Sequence, residues 1–198
     1  MGATADMRMT GAATATAERR GAGPTIDGRR LRRPRRLTLD EHLGVIRSAE
    51  GLTSRDVAGL SAACAEAMSS DVPVARVGCA VMVGSVVVAT AHNSLKTDPA
   101  QKRWNRYRAL VTSTESDPAN MDSIHAEVAA LKSIPWPVAR QLRWPQVRVY
   151  VFRVAPGLPL GQGMARPCRA CWQALRHAGA RHLVYSTDDG FAKEDIAG

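Results

Sequence analysis

The sequence predicts an α/β protein with a mixed β-sheet and helices on both faces. Apolar residues first recur at helical spacing, two short β-branched runs follow, and helical and strand patterns then alternate towards the C-terminus. The predicted order is α-β-β-α-β-α-β, with later strands joined through helices after a leading hairpin. At 198 residues and 45% hydrophobic content, the chain is long enough for one such domain and an additional tail.

Residues 1–37 are predicted to be a disordered, arginine-rich tail in front of a single domain over residues 38–198. The tail contains nine arginines and three acidic residues, so it carries +6 of the formal net charge of +9. It lacks periodic apolar positions, which is typical of disorder. The run GRRLRRPRR at 28–36 is a candidate contact for nucleic acid. The alternatives are a tail without function, a translation start assigned too early in the sequence, and a transit peptide.

The first half of the predicted domain contains one or two helices and then a hairpin. Four apolar residues follow a helical period: Val57, Leu60, Cys64 and Met68. Thr53 or Ser54 is the candidate N-cap. The run at 77–93 places apolar stretches on either side of Gly84 and Ser85, which predicts an antiparallel hairpin with largely buried strands. The stretch at 94–122 is polar and is predicted to be irregular.

The second half alternates between helix and strand. It contains a helix opening at His125, a Pro- and Trp-rich connection at 135–145, a β-branched strand VRVYVFRV at 147–154, a glycine-bearing loop, a helix RPCRACWQALRHAG at 166–179 and a strand RHLVYST at 181–187. Gly179 is predicted to end the second of these helices, because glycine readily adopts the left-handed conformation found there. The last strand is predicted to close the core.

Composition and cysteine spacing exclude several classes of protein. No apolar run approaches the roughly 20 residues that span a bilayer, and the N-terminus lacks an apolar signal-peptide core. We therefore expect a cytoplasmic protein without a membrane partner. Cys64 and Cys79 lie in apolar stretches typical of core, whereas Cys168 and Cys171 are close in sequence. This spacing favours a metal or redox role for the close pair over a disulfide framework.

Two predicted helix starts carry residue types that bind zinc. SIHAEVAAL at 123–131 holds His125 and Glu127. Cys168 and Cys171 are three residues apart on one helical face, and a helix N-terminus favours their thiolate forms. One imidazole and two thiolates make three ligands, which leaves a position for water as in catalytic zinc sites. Glu127 is too close in sequence to share the ion, so we expect it to hold the water and move protons.

Two other interpretations of these residues remain open. A structural zinc site would need a fourth ligand, for which His92 or His177 is available. A redox Cys-x-x-Cys motif is the second alternative, but it leaves His125 and Glu127 unexplained. Pro167 is predicted to occupy the first turn of the thiolate helix, where proline costs no hydrogen bond.

The His-x-Glu and Pro-Cys-x-x-Cys motifs together resemble the signature of zinc-dependent nucleobase deaminases. HAE at 125–127 and PCRAC at 167–171 match the two metal motifs of the cytidine deaminase-like superfamily, in the branch with deoxycytidylate, tRNA-adenosine and phage-encoded deaminases. The resemblance covers about residues 52–190. It implies a three-layer sandwich, a Zn²⁺ cofactor and hydrolytic deamination that releases ammonia, with Glu127 as the catalytic proton carrier.

The resemblance also implies substrate contacts. AHN at 91–93 ends the second strand where the family has a Gly-x-Asn that contacts substrate, so Asn93 is expected to orient it. Ala91 replaces the glycine of that motif. Ala126 and Pro167, inside the two metal motifs, are further expected substrate contacts. The separation between His125 and Cys168 is longer than the family pattern.

Three functions remain from the sequence. The leading one is deamination of a free cytosine nucleoside or nucleotide; the second is deamination of a base within single-stranded DNA or RNA, including tRNA. The third is a noncatalytic zinc module that binds nucleic acid through the arginine-rich tail. KRWNRYR at 102–108 is a candidate for stacking a base or holding a phosphate, and a solvated loop anchored by Trp104 is the alternative. A homo-oligomer is expected from the resemblance.

Overall fold

The computed structural model describes residues 36–108 and 123–196, together with the backbone of two short strands near the N-terminus. Those strands, β1 (Thr25–Ile26) and β2 (Arg29–Arg30), pair antiparallel with one another. Most of the predicted tail at 1–37, and residues 109–122 of the predicted irregular stretch at 94–122, lie outside the described residues. The disordered tail and the boundary at residue 38 therefore stay predictions.

The remaining elements occupy the predicted domain. The helices are α1 (Leu39–Ser48), α2 (Ser54–Ser69), α3 (Pro99–Asn105), α4 (Ala126–Ser133), α5 (Trp136–Gln141) and α6 (Arg169–Ala178). A short 3₁₀ helix spans Trp144–Gln146. The strands are β3 (Arg76–Val83), β4 (Val86–His92), β5 (Val147–Val154), β6 (Gln162–Gly163), β7 (His182–Ser186) and β8 (Phe191–Asp195).

The first two helices begin at capping boxes. Thr38 caps α1 and exchanges hydrogen bonds with Glu41, and Thr53 caps α2 and exchanges hydrogen bonds with Asp56. Each box satisfies backbone N–H groups that a helix start leaves without partners. Of the two N-cap candidates in the sequence, Thr53 is therefore the correct one.

The sheet is mixed, as predicted, with the strand order β4-β3-β5-β7-β8. β3 pairs antiparallel with both β4 and β5, and the hairpin between β3 and β4 turns at Gly84 and Ser85. β5 and β7 run parallel, which requires a crossover, and α6 lies in the segment that connects them. β8 adds an antiparallel edge.

Helices cover both faces of the sheet and make a three-layer sandwich. On one face, α1 and α2 contribute Ile46 and Leu60 to a core that includes Tyr150 and Phe152 of β5. On the other face, residues of α4 and α6 pack against the alternate side chains of the same strand, such as Val151. The alternation follows from the two-residue period of a strand. The second face is the one that carries the candidate site.

Two glycines bring α2 close to the sheet. A side-chain carbon on Gly59 would lie 2.4 Å from the Tyr150 ring, and one on Gly78 would lie 2.0 Å from the carbonyl oxygen of Ala63. Real side-chain carbons do not approach so closely, so both positions require glycine. The sequence placed Gly78 in a strand without indicating this contact.

Within the predicted domain, two α-helices and two strands were not predicted. α3 lies in the stretch expected to be irregular, and α5 lies in the Pro- and Trp-rich connection, where a proline occupies the first turn without costing a hydrogen bond. β6 pairs with the end of β5 inside the glycine-bearing loop. β8 follows the strand that was expected to close the core; its charged sequence and partial exposure suit an edge strand.

Within residues 36–108 and 123–196, no helix combines the length and the apolar character that a membrane-spanning helix needs.

Candidate active site

His125 stands at the start of α4, where it is the N-cap residue. Its backbone N–H donates a hydrogen bond to the side-chain oxygen of Gln101 on α3, at 3.1 Å. Its side chain makes no capping bond and remains available for other contacts. The ring is only half-buried. Local structure therefore fixes the backbone of His125 and leaves the imidazole free to act as a ligand.

The two cysteines lie at the start of α6. Cys168 is its N-cap, and the completely buried Cys171 lies in the first turn. Gly179 ends the helix as predicted, with φ of 91° in the left-handed region. The prediction for Pro167 is wrong in one respect: α6 begins at Arg169, so the buried Pro167 precedes the N-cap and does not occupy the first turn.

The three predicted zinc ligands come together. Nδ1 of His125 lies 3.6 Å from Sγ of Cys168 and 3.3 Å from Sγ of Cys171. Their ligand atoms all lie within 4.8 Å of one another. With usual zinc bond lengths, a tetrahedral ion separates nitrogen and sulfur ligands by about 3.6 Å. The His125, Cys168 and Cys171 group therefore fits a Zn²⁺ ion.

The two thiols have different acidities. A hydrogen bond from Cys171 lowers the pKa of Cys168 to about 3, against the effect of burial. Burial raises the pKa of Cys171 well above its ordinary value. Burial also acts to lower the pKa of His125, but the hydrogen bond with Cys168 outweighs it and the pKa is raised. Zinc binds thiolates, so metal binding must release the proton of Cys171.

Glu127 lies two residues after His125, in the first turn of α4, and is only 5% exposed. Burial raises the pKa of its carboxyl, and the positive charge of His125 partly opposes that effect. Its carboxyl also forms a hydrogen bond with Cys171. A buried carboxyl held beside the ligand group, with its pKa raised above the ordinary value, is suited to accepting and returning a proton.

The histidines considered as a fourth zinc ligand lie elsewhere. Nδ1 of His92 pairs with Glu66 at 2.9 Å, and the ring of His177 packs against Trp104 at 5.2 Å. In the described part of the chain, no other His, Cys, Asp or Glu joins the His125, Cys168 and Cys171 group. This arrangement contradicts a structural site closed by His92 or His177 and leaves the three-ligand set.

A cleft of about 250 Å³ opens beside this group. His125, Glu127 and Cys168 form part of its wall, and the predicted substrate contacts Asn93 and Ala126 also line it. Pro167, the third predicted substrate contact, is not among the lining residues. The cleft therefore joins the metal group, the buried carboxyl and two of three predicted substrate contacts.

Asn93 is held firmly at the cleft. Its side-chain oxygen accepts hydrogen bonds from Oγ of Ser70 at 2.7 Å and from the backbone N–H of Val77 at 2.8 Å. Its amide nitrogen donates to the carbonyl oxygen of Ala75 at 2.7 Å. The amide carries a second N–H, so one donor of Asn93 is left for a ligand.

Sequence reasoning missed three residues at the site. Arg153 and Arg166 line the cleft, and the completely buried Gln101 holds the backbone of His125. The sequence could have indicated Arg153, because it is a charged residue in a strand that is largely buried. Arg166 directly precedes the Pro-Cys-x-x-Cys motif. No signal pointed to Gln101, which lies in the stretch predicted to be irregular.

Comparison with known proteins agrees with this site. The family described as the cytidine and deoxycytidylate deaminase zinc-binding region matches residues 53–187, a span that contains all three ligands and Glu127. The chain belongs to this family. The match covers the described fold from α2 to β7 and supports a zinc-binding site of the cytidine and deoxycytidylate deaminase type.

Two further comparisons complete this result. Among solved structures, the deaminase-family chain is similar to "Acinetobacter baumannii RibD, form 1", at 18% identity and a TM-score of 0.31. The match covers 76% of this chain and 29% of that chain, so this chain spans less than a third of the RibD protein. Among curated proteins, no match to this member of the family was found.

Proposed function

We propose that the protein hydrolytically deaminates the cytosine of a free nucleoside or nucleotide. One observation carries the proposal: the buried Glu127 lies beside a three-ligand group that opens onto a cleft. Three protein ligands leave a coordination position for water, as in catalytic zinc sites. A purely structural site has no use for a nearly buried carboxyl with a raised pKa at that place.

His125, Cys168 and Cys171 would hold a zinc ion, which would supply the Lewis acidity that makes a water molecule nucleophilic at neutral pH. The Glu127 carboxylate takes a proton from the attacking water and passes it to the ring nitrogen beside the amine-bearing carbon. That carbon becomes more electrophilic and accepts the attack of the water oxygen. Glu127 then takes the proton of the newly added hydroxyl group and carries it to the amino group. The bond from the ring carbon to the amino group breaks, ammonia leaves, and the hydroxyl oxygen becomes the carbonyl oxygen of the product.

Asn93 and Ala126 are the proposed substrate contacts in the cleft. The remaining N–H of Asn93 points to a hydrogen-bond acceptor on the base or sugar as its partner. Ala126 contributes an apolar part of the cleft wall between the proposed ligand His125 and Glu127. Pro167 acts through Cys168 instead, because it lies immediately before that N-cap and restricts the backbone that presents the thiolate.

The basic aromatic segment at 102–108 supports a free substrate over a nucleic acid. Trp104 packs against a small core that includes Val128 and Cys171. The guanidinium of Arg103 lies 5.4 Å from the centre of the Trp104 ring, and that of Arg106 lies 4.9 Å from the centre of the Tyr107 ring. Both rings are thus engaged by their own neighbours, whereas stacking of a base requires an open ring face.

The direct test is an ammonia-release assay on the zinc-loaded protein. Cytosine, adenine and guanine nucleosides, their monophosphates and single-stranded oligonucleotides form the panel. We expect turnover of the cytosine monomers. Deamination of an oligonucleotide with none of any monomer would replace the proposal with the nucleic-acid alternative. The homo-oligomer and the cytoplasmic location stay predictions, to be checked by light scattering and by imaging of a tagged chain.

A further inference from the structure

One arginine in the cleft has a buried nitrogen without a partner. The Nε atom of Arg153 is buried and makes no hydrogen bond to any residue that the structure describes. Across the described residues, no carboxylate lies within ion-pair distance of its guanidinium, which faces a cleft that also contains Glu127. A buried donor on a permanently charged group is costly when it is left without a partner. The unused cation therefore indicates a place for an anion.

The fold points this arginine towards the site. Arg153 lies near the end of β5 and shares a face of that strand with Val149 and Val151, which belong to the core beneath α4 and α6. A side-chain carbon on Gly163 would lie 3.5 Å from Cδ of Arg153. The arginine stem therefore passes close to a residue that has no side chain.

Arg153 and Asn93 stand in one row across the sheet. Arg153 pairs with Val77 of β3, and Val77 exchanges hydrogen bonds with the backbone and side chain of Asn93. Two strand spacings, about 10 Å, therefore separate the backbones of Arg153 and Asn93. A ligand that contacts Asn93 through its sugar and extends along this row reaches Arg153 with its far end.

The second arginine of the cleft is already paired. Arg166 forms a two-pronged ion pair with Glu194, with Nε and oxygen 2.9 Å apart, and its guanidinium lies 5.1 Å from the centre of the Trp172 ring. Arg166 thus adds a fixed, partly neutralised charge. Arg153 retains its full charge for a ligand.

We propose that Arg153 binds the 5′-phosphate of the substrate, so that the enzyme prefers a free cytosine nucleoside monophosphate over the nucleoside. The inference rests on the proposed deamination, because that reaction places the base at Glu127. The cleft volume of about 250 Å³ is on the scale of one small ligand, and the proposed substrate is a free monomer, so its phosphate is a terminal one. Arg153 is then a specificity-determining residue.

The test compares a cytosine nucleoside with its 5′-monophosphate in the zinc-loaded protein and in Arg153→Gln. We expect the unmodified protein to prefer the monophosphate. Loss of a hydrogen-bonded charge pair predicts a fall of about tenfold to a hundredfold in kcat/KM for the monophosphate, with the nucleoside unchanged. Arg140→Gln, on the exposed surface of α5, is the matched control and should change neither value.

Binding gives a second readout that does not need turnover. Calorimetry with uridine 5′-monophosphate and with inorganic phosphate should show binding that weakens in Arg153→Gln and is partly restored in Arg153→Lys. Competition by inorganic phosphate in the unmodified protein tests the same site without any variant. Absence of phosphate competition, or an equal loss for nucleoside and monophosphate, would overturn the proposal.

The two proposals fail separately. Equal turnover of nucleoside and monophosphate, with neither affected by Arg153→Gln, would leave deamination standing and remove the phosphate site. Arg153-dependent binding of the nucleotide without turnover of any substrate would support the phosphate site and remove the deaminase proposal. An Arg153 effect confined to oligonucleotides would overturn the assignment of a free monophosphate.

Discussion

The backbone N–H of His125 donates a hydrogen bond to the side chain of Gln101, 24 residues earlier in the chain. Gln101 is completely buried, and its amide nitrogen donates to Asn105 at 2.9 Å. This contact ties α3 to the first residue of the zinc-ligand group. A buried amide that holds the backbone of a ligand helps to set the direction of the imidazole.

Gln101→Leu should weaken zinc binding about tenfold to a hundredfold, because the outer contacts of a metal site commonly contribute that much. It should also lower the free energy of unfolding by about 1–3 kcal/mol, since the N–H of His125 loses its buried acceptor. Chelator competition and thermal unfolding measure the two effects. Lys102→Leu, at an exposed position of the same helix, is the control and should keep the zinc affinity and the stability of the unmodified protein. If Gln101→Leu binds zinc as tightly as Lys102→Leu does, Gln101 has no role at the site.

Cys168→Ala and Cys171→Ala should each lose most of the bound zinc, because two remaining ligands hold the ion poorly. The melting temperature should fall as well, since the ion connects the starts of α4 and α6. Metal analysis after dialysis gives the zinc content per chain. Cys64→Ala is the control, because its thiol is buried in the hydrophobic core on the other face of the sheet. The zinc content of this variant should stay at one ion per chain. Full zinc content in either ligand variant would contradict the assignment.

Glu127→Gln should retain zinc and lose turnover by a factor of about 10²–10⁴, the usual contribution of general acid–base catalysis. The amide keeps the shape of the side chain but cannot carry the proton. Glu50→Gln, an exposed residue between α1 and α2, should keep full activity. Appreciable turnover in Glu127→Gln would disprove the proton transfer, and loss of its metal would identify Glu127 as a ligand.

Asp56 should make stability depend on pH in the acid range. Burial acts to raise the pKa of Asp56, but hydrogen bonds from Lys193 and Thr53 outweigh it and lower the pKa to about 2, from an ordinary 3.8. A lowered folded-state pKa stabilises the protein above about pH 4, and this contribution disappears as the pH falls from 4 to 2. It amounts to about 2 kcal/mol.

Asp56→Asn should therefore lower the free energy of unfolding at pH 7 and flatten its pH dependence between 2 and 4. Denaturant titrations across this range measure both changes. Asp40→Asn alters an exposed aspartate of α1 and serves as the control. An unchanged acid slope in Asp56→Asn would show that the contacts with Lys193 and Thr53 contribute nothing.

Removal of residues 1–36 should leave turnover of a free nucleotide unchanged. The segment carries +6 of the net charge, so its effect should appear only with nucleic acid. If the tail binds single strands, truncation weakens that binding and flattens its dependence on salt concentration. Binding titrations at several salt concentrations, beside the ammonia assay, separate the two activities. If the truncated protein no longer turns over a mononucleotide, residues 1–36 take part in catalysis and the prediction is wrong.

Local patterns were sufficient for much of the fold. The strand at 147–154 was predicted with the bounds that β5 has, and the turn at Gly84 and Ser85 and the helix end at Gly179 were also correct. Each depends on neighbours in sequence: β-branched residues, a two-residue turn and a glycine that tolerates positive φ. α3 and β8 were missed because their polar sequences owe their structure to contacts with distant segments.

The sequence by itself determined which residues are the candidates for the chemistry of the site. His125, Glu127, Cys168 and Cys171 belong to two short motifs, and ligand type and spacing alone indicated zinc and proton transfer. Only the tertiary structure decided which other residues share the site. Gln101 and Arg153 come from a helix and a strand far apart in the chain, and packing of the layers brings them beside the motifs. Such contacts depend on the register and direction of whole elements, which no local pattern encodes.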